Sequence, residues 1–152
     1  MLQEYKSIMV AIDGSTQAEK AFKKAVEVAK RNNAQLVLAH VIDTRAYQSF
    51  STFDGSIADN ARVEAKNTLN EYKKYAEDKG LDNVKIVLEY GSPKVMIAKQ
   101  IPQSEHIDLI MLGATGLNAV ERIFVGSVSE YVIRQASCDV MIIRTDLDNK
   151  LD

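Results

Sequence analysis

Apolar residues along this chain fall into two kinds of stretch: short solid blocks, and longer segments where they return every third or fourth position. The first block, Ser7 to Ile12 (Ser-Ile-Met-Val-Ala-Ile), reads as a strand and ends at Asp13-Gly14-Ser15-Thr16, whose side chains suit a helix start. From Ala18 the apolar positions are Ala21, Phe22, Ala25, Val26 and Ala29, set among Lys20, Lys23, Lys24, Glu27 and Lys30. That spacing predicts a helix laying one face on a sheet. Gln35 to Ile42 is apolar without strict alternation, as in a strand covered on both sides. Ala58, Ala61, Ala65, Leu69, Tyr72 and Ala76 predict a second helix, stopped at Gly80, and Val84 to Leu88 a third strand. Gly91-Ser92-Pro93 turns into a short third helix through Val95, Ile97, Ala98 and Ile101, which Pro102 is expected to break. Ile107 to Leu112, Ser127 to Gln135 and Val140 to Ile143 follow as strand, helix and strand.

Strands alternating with helices imply right-handed parallel crossovers. The expected fold class is α/β, a three-layer open sheet of five mainly parallel strands with helices on both faces. A length of 152 residues suits a single domain over 1–152. Ligands of such sheets sit past the carboxyl ends of the strands, where the strand order reverses. Those ends are Ile12-Asp13-Gly14, Val41-Ile42-Asp43, Glu89-Tyr90-Gly91, Leu112-Gly113 and Arg144-Thr145.

Charge narrows the partners. With 19 basic and 21 acidic side chains, the net charge of −2 leaves no excess to neutralise a phosphate backbone, so nucleic acid is not expected. No apolar run approaches the ~18 residues of a membrane span, so no membrane association is expected either. The N-terminal residues show no secretory pattern, and the expected location is cytoplasmic. Cys138 is the one cysteine; it can form no intrachain disulfide, and without a basic neighbour it reads as a small structural residue. His40, inside an apolar strand, reads as packed, and His106 as part of a polar turn. Asp43 to Ser56 is long for a connection and carries Tyr47, Phe50 and Phe53, which suggests a lid. Its Asp43 and Asp54 are indistinguishable from solvated loop acids, so no protein-held metal is assigned.

Three of the seven glycines, Gly113, Gly116 and Gly126, bracket the connection from strand four to helix four. Glycine lets backbone N–H groups close on an anion, and Gly126-Ser127 stands where a helix begins with unpaired N–H groups and partial positive charge. This is the outline of a phosphate site. It is neither Gly-x-x-x-x-Gly-Lys-Ser/Thr nor Gly-x-Gly-x-x-Gly.

The spacing Gly113-x2-Gly116-x9-Gly126-Ser127 resembles the nucleotide signature of the universal stress proteins. Ile8-Met9-Val10-Ala11-Ile12-Asp13-Gly14-Ser15, His40-Val41-Ile42-Asp43 and Gly91-Ser92-Pro93 support the resemblance, which spans residues 5 to 144. It implies the Rossmann-like, adenine nucleotide alpha hydrolase-like form of the sheet. It places Asp13 near the nucleotide, the Val41 backbone at adenine, Gly113 and Gly116 around ribose and phosphates, and Gly126, Ser127 and Ser129 on the phosphates. Ala11, Ile12, Leu112 and Val128 are carried into the same set, with Arg122 the nearest positive candidate because Thr115 stands where many relatives have a basic or histidine residue. Asp139 replaces a proline common in relatives. The ligand so implied is ATP, or AMP or ADP, with any Mg²⁺ held by the phosphates. The implied role is a stress-response sensor or regulator.

No positioned base or nucleophile is visible, so turnover is expected to be slow or absent. A homodimer through strand five (Val140, Met141, Ile142, Ile143) is expected, since that apolar strand is last in the chain and an edge in the family-like order. Two alternatives stand beside this reading: a dimeric interaction module that uses no nucleotide, and a slow ATPase. A receiver domain would need an Asp after strand three and a Lys after strand five, where Glu89-Tyr90 and Arg144 stand instead.

Overall fold

The computed structural model describes residues 4–44, 56–114 and 126–144. Gly116, Arg122, Thr115 and the body of the expected lid, with Tyr47, Phe50, Phe53 and Asp54, lie outside the described residues. Five strands form one sheet: β1 (Ser7–Ala11), β2 (Gln35–Asp43), β3 (Val84–Gly91), β4 (Leu109–Gly113) and β5 (Asp139–Ile143). Every pairing is parallel, in the order β3-β2-β1-β4-β5. The helices are α1 (Thr16–Asn32), α2 (Ser56–Asp78), the composite α3 beginning at Pro93, and α4 (Ser127–Gln135). No described helix is long and apolar enough to cross a membrane.

β1 lies at the centre because it is apolar on both faces. Ile8 and Val10 pack into the core shared with α1 and α2, while Met9 packs into the core shared with α3 and α4. The start of β1 is tied to β4 by Asp108, whose carboxylate accepts the N–H groups of Lys6 (2.9 Å) and Ser7 (3.1 Å). In α1 the apolar stripe expected from the sequence is buried, and Phe22 meets the ring of Tyr72 edge-on at 4.6 Å, joining α1 to α2. Burying a phenylalanine of this kind contributes about 1.5–3 kcal/mol. The helix ends at Asn33, whose left-handed backbone (φ 53°) directs its N–H back to Ala29 and Lys30.

Several boundaries differ from expectation: β2 ends at Asp43 rather than Ile42, β4 runs Leu109–Gly113 rather than Ile107 to Leu112, β5 starts at Asp139 rather than Val140, and three further differences have a visible cause. Pro102 does not end the third helix: α3 runs as Pro93–Val95, Met96–Gln100 in π geometry, and Ile101–Ser104. Pro102 cannot donate to the carbonyl of Ala98, and its ring would crowd that oxygen in a regular turn. The wider turn before it, closed by the Ile101 N–H on the Met96 carbonyl, removes the conflict. β3 continues past Leu88 because β2 offers partners as far as Asp43, opposite Gly91. β1 stops at Ala11, one residue early, for a reason that bears on the site below.

The switch in strand order falls between β1 and β4, and there α1 approaches the end of β4 very closely. A Cβ on Gly113 would lie 2.4 Å from the carbonyl oxygen of Gln17. Gly113→Ala should therefore push α1 off the sheet and cost about 1–3 kcal/mol, the usual range for overpacking. Urea denaturation checks this; an unchanged midpoint would mean that the helix has room to give.

Candidate functional site

On the face that carries α3 and α4, side chains of the central strands shrink toward their carboxyl ends. Met9 stands opposite Val37, and two residues on, Ala11 stands opposite Ala39. The space so left is a cavity of about 410 Å³, within the range of small-molecule sites. Its floor is apolar, formed by Ala11, Ala39, Val41, Leu112 and Ile97 of α3.

Three helices begin at this cavity, since parallel crossovers bring every helix start to the carboxyl edge. α1 contributes Ser15, Gln17 and Ala18; α3 contributes Pro93; α4 contributes Ser127, Val128 and Ser129. The helix starts differ in what they leave unpaired. In α1 the Ser15 hydroxyl accepts the Ala18 N–H at 3.1 Å. In α4 the cap is Gly126, which has no side chain to offer, so among the described residues the N–H groups of its first turn keep their capacity for an outside acceptor. Gly126 itself has extended backbone (φ −63°, ψ 165°).

Asp13 is not the helix cap that its neighbourhood suggested. Its carboxylate accepts the Ser15 N–H at 2.9 Å and folds the turn between β1 and α1, leaving the cap to Ser15. Ser129 is almost fully buried, and its hydroxyl donates to the Gly113 carbonyl at 3.3 Å. That bond ties the start of α4 to the end of β4. Ser127, by contrast, is exposed at the rim.

Electrostatically, the cavity wall holds Asp13 and His40 and no lysine or arginine among the described residues, so positive potential there comes from helix N-termini. The described residues contain no cluster of three histidine, cysteine or acidic side chains placed to hold a metal.

A sequence model of the universal stress protein family matches residues 4–144. The chain belongs to the universal stress protein family. A Staphylococcus epidermidis protein carrying the universal stress protein name is 49% identical over 142 residues, covering 93% of this chain and 86% of that one. Among solved structures, the universal stress protein UspA from Lactobacillus plantarum is 33% identical with a TM-score of 0.80, covering 94% and 100% of the two chains. A more distant Arabidopsis thaliana member, 22% identical with a TM-score of 0.68 and 94% coverage of both chains, was solved with AMP bound.

Of the positions that the universal stress protein signature singles out, Ala11, Ile12, Asp13, Val41, Leu112, Gly113, Ser127, Val128 and Ser129 surround this one cavity. Gly126 stands one residue behind, as the cap of α4, and Gly116 and Arg122 lie outside the described residues. Sequence reasoning missed Ser15, Gln17, Ala18, Ala39, His40, Pro93 and Ile97. The alanines at 11 and 39, each two residues past a large side chain on the same face, were the legible sign of a void. His106 sits in a left-handed turn (φ 54°) and does not line the cavity.

Cys138 is half-buried in the turn before β5, and burial pushes its thiol pKa up, with Asp139 and Asp108 adding to the effect. A raised pKa means less thiolate at any given pH. Alkylation of folded protein at pH 7.5 should run at least threefold slower than that of the unfolded chain, which a thiol-quantitation time course measures.

Proposed function

We propose that this universal stress protein binds an adenine nucleotide, ATP or its mono- or diphosphate, and acts in the cytoplasm as a stress-response sensor or regulator with little or no turnover. The observation that carries the reading is the cavity at the β1/β4 switch point, with an apolar floor at one end and the uncapped start of α4 at the other. An apolar floor suits a base, and free helix N–H groups suit a phosphate. Gln17 fits the same picture, for its Oε1 is buried in the wall with no hydrogen-bond partner among the described residues. The AMP found in the Arabidopsis relative points the same way. With Asp13 the one carboxylate among the described residues of the wall, Mg²⁺ would be carried by the phosphates.

The chemistry of the described wall supports slow turnover. Hydrolysis needs a group to orient or deprotonate water and cations to offset charge at the γ-phosphate. Asp13 uses a carboxylate oxygen in its turn, and Ser129 has its proton on the Gly113 carbonyl. Protein purified from cells and denatured should release an adenine nucleotide identifiable by mass spectrometry. Gly126→Val should abolish ATP binding in calorimetry while leaving the fold intact, because residue 126 has backbone that a β-branched residue adopts readily. Unchanged affinity in the folded variant would remove the phosphate role of this loop, and single-turnover hydrolysis on the order of 1 per second would replace the sensor with an enzyme.

A second proposal concerns assembly. β5 pairs with β4 on one side, its other edge is unpaired among the described residues, and Met141 on it is exposed. We infer that two copies join along Val140, Met141, Ile142 and Ile143. Analytical ultracentrifugation at micromolar concentration should find a dimer that Ile142→Pro weakens at least tenfold; a monomer, or no effect of proline, rejects this edge. A dimer that releases and binds no nucleotide would favour the interaction-module alternative.

A further inference from the structure

β1 ends one residue early because a side chain takes the place of a ladder rung. The N–H of Ile12 still donates to the Ala39 carbonyl at 2.7 Å, as parallel pairing requires. The next rung would run from the Val41 N–H to the Ile12 carbonyl. It is not made: the register stops at Ala11 opposite Ala39, and Ile12 lies outside the strand. The partner of the Ile12 carbonyl is instead Nδ1 of His40. A carbonyl can only accept, so Nδ1 carries the proton, in either charge state of the ring.

The two faces of the sheet make this arrangement useful. Leu36 and Leu38 place the even-numbered side chains of β2 on the side of α1 and α2, and His40 follows them; besides bordering the larger cavity it lines a recess of about 270 Å³ with Glu64 and Thr68 of α2. Val41 lies on the opposite side, in the wall of the larger cavity. The N–H and C=O of a strand residue point the same way, and those of Val41 point past the end of β1. They form an adjacent donor and acceptor that no other described residue occupies. Adenine has the complementary edge, an acceptor ring nitrogen beside a donor amino group. Hypoxanthine reverses both.

We propose that His40 is a positioning residue for base recognition: by occupying the Ile12 carbonyl from the far face, its imidazole keeps the Val41 backbone edge open to select adenine. This rests on the nucleotide reading above. Without the imidazole, the buried Ile12 carbonyl takes its hydrogen bond from Val41, the ladder gains a rung, and the edge is consumed.

The test uses the full chain as wild type, His40→Leu and His40→Asn. Asparagine carries an N–H at the same remove from the backbone as Nδ1, so it should restore what leucine removes. In ligand-free wild type, amide exchange by NMR should be at least 100-fold faster at Val41 than at Ala39, inside the ladder. In His40→Leu, Val41 should become protected. Calorimetry should show His40→Leu losing at least tenfold in ATP affinity and its preference for ATP over ITP falling toward one, with His40→Asn within about threefold of wild type on both. A Val41 amide as protected as Ala39 in wild type overturns the proposal, as does a folded His40→Leu protein with unchanged affinity and preference. If His40→Leu does not fold, wild-type exchange and the His40→Asn affinities decide. If wild type binds no adenine nucleotide, the reading of the preceding subsection falls with the base assignment, while exchange at Val41 still decides whether His40 opens the edge.

Discussion

A carbon atom that is absent at Gly113 sets the spacing of the whole carboxyl edge. Because no Cβ stands there, the first turn of α1 comes down onto the end of β4, with Gln17 against the bare backbone. The same glycine offers its carbonyl to Ser129, so one residue locks the starts of α1 and α4 to the point where the strand order reverses. The sequence reading treated this glycine as a means of approaching an anion. In the structure its first use is to let protein approach protein, and the cavity is the space left between the two helix starts so held. One missing carbon thus shapes both the packing of the helices and the cavity between them.

The cavity also handles charge without side-chain cations among its described walls. A helix start supplies roughly half an elementary charge and up to four N–H donors, already oriented by the fold. Such a source adds no side-chain entropy cost when a ligand arrives, unlike a lysine or arginine that must be immobilised.

The alternation of strand and helix was legible because each buried block is solidly apolar and each helix keeps a one-sided stripe. The bounds of α4 were readable to the residue, since Gly126-Ser127 announces the start. Only the edge position of β5 was expected, through family resemblance; the rest of the strand order was not read, as no local pattern says which strands are neighbours. Other features were hidden because they depend on long-range partners. The end of β1 is decided by His40, 28 residues further on, and a histidine in an apolar strand gives no sign that its ring will accept the duty of a backbone donor. Pro102 was misread for a related reason: its local rule is sound, and the chain met it by widening the preceding turn. Within the site, the signature positions were visible as chemistry, whereas Ala39, Pro93 and Ile97 serve as shape and say little until the strands are in register.

That widened turn sets a rotational phase. A π turn holds one residue more than an α turn, so it acts as a single insertion absorbed inside the helix, and each residue is worth about 100° of rotation. Beyond it, Ile101 and Pro102 are buried; at and before it, Ile97 and Pro93 face the cavity. Both ends of α3 share one core, and the early end borders the cavity as well. Loss of one residue between Met96 and Gln100 would remove that slack, set the ring of Pro102 against the preceding turn again, and turn Ile97 away from the floor it completes.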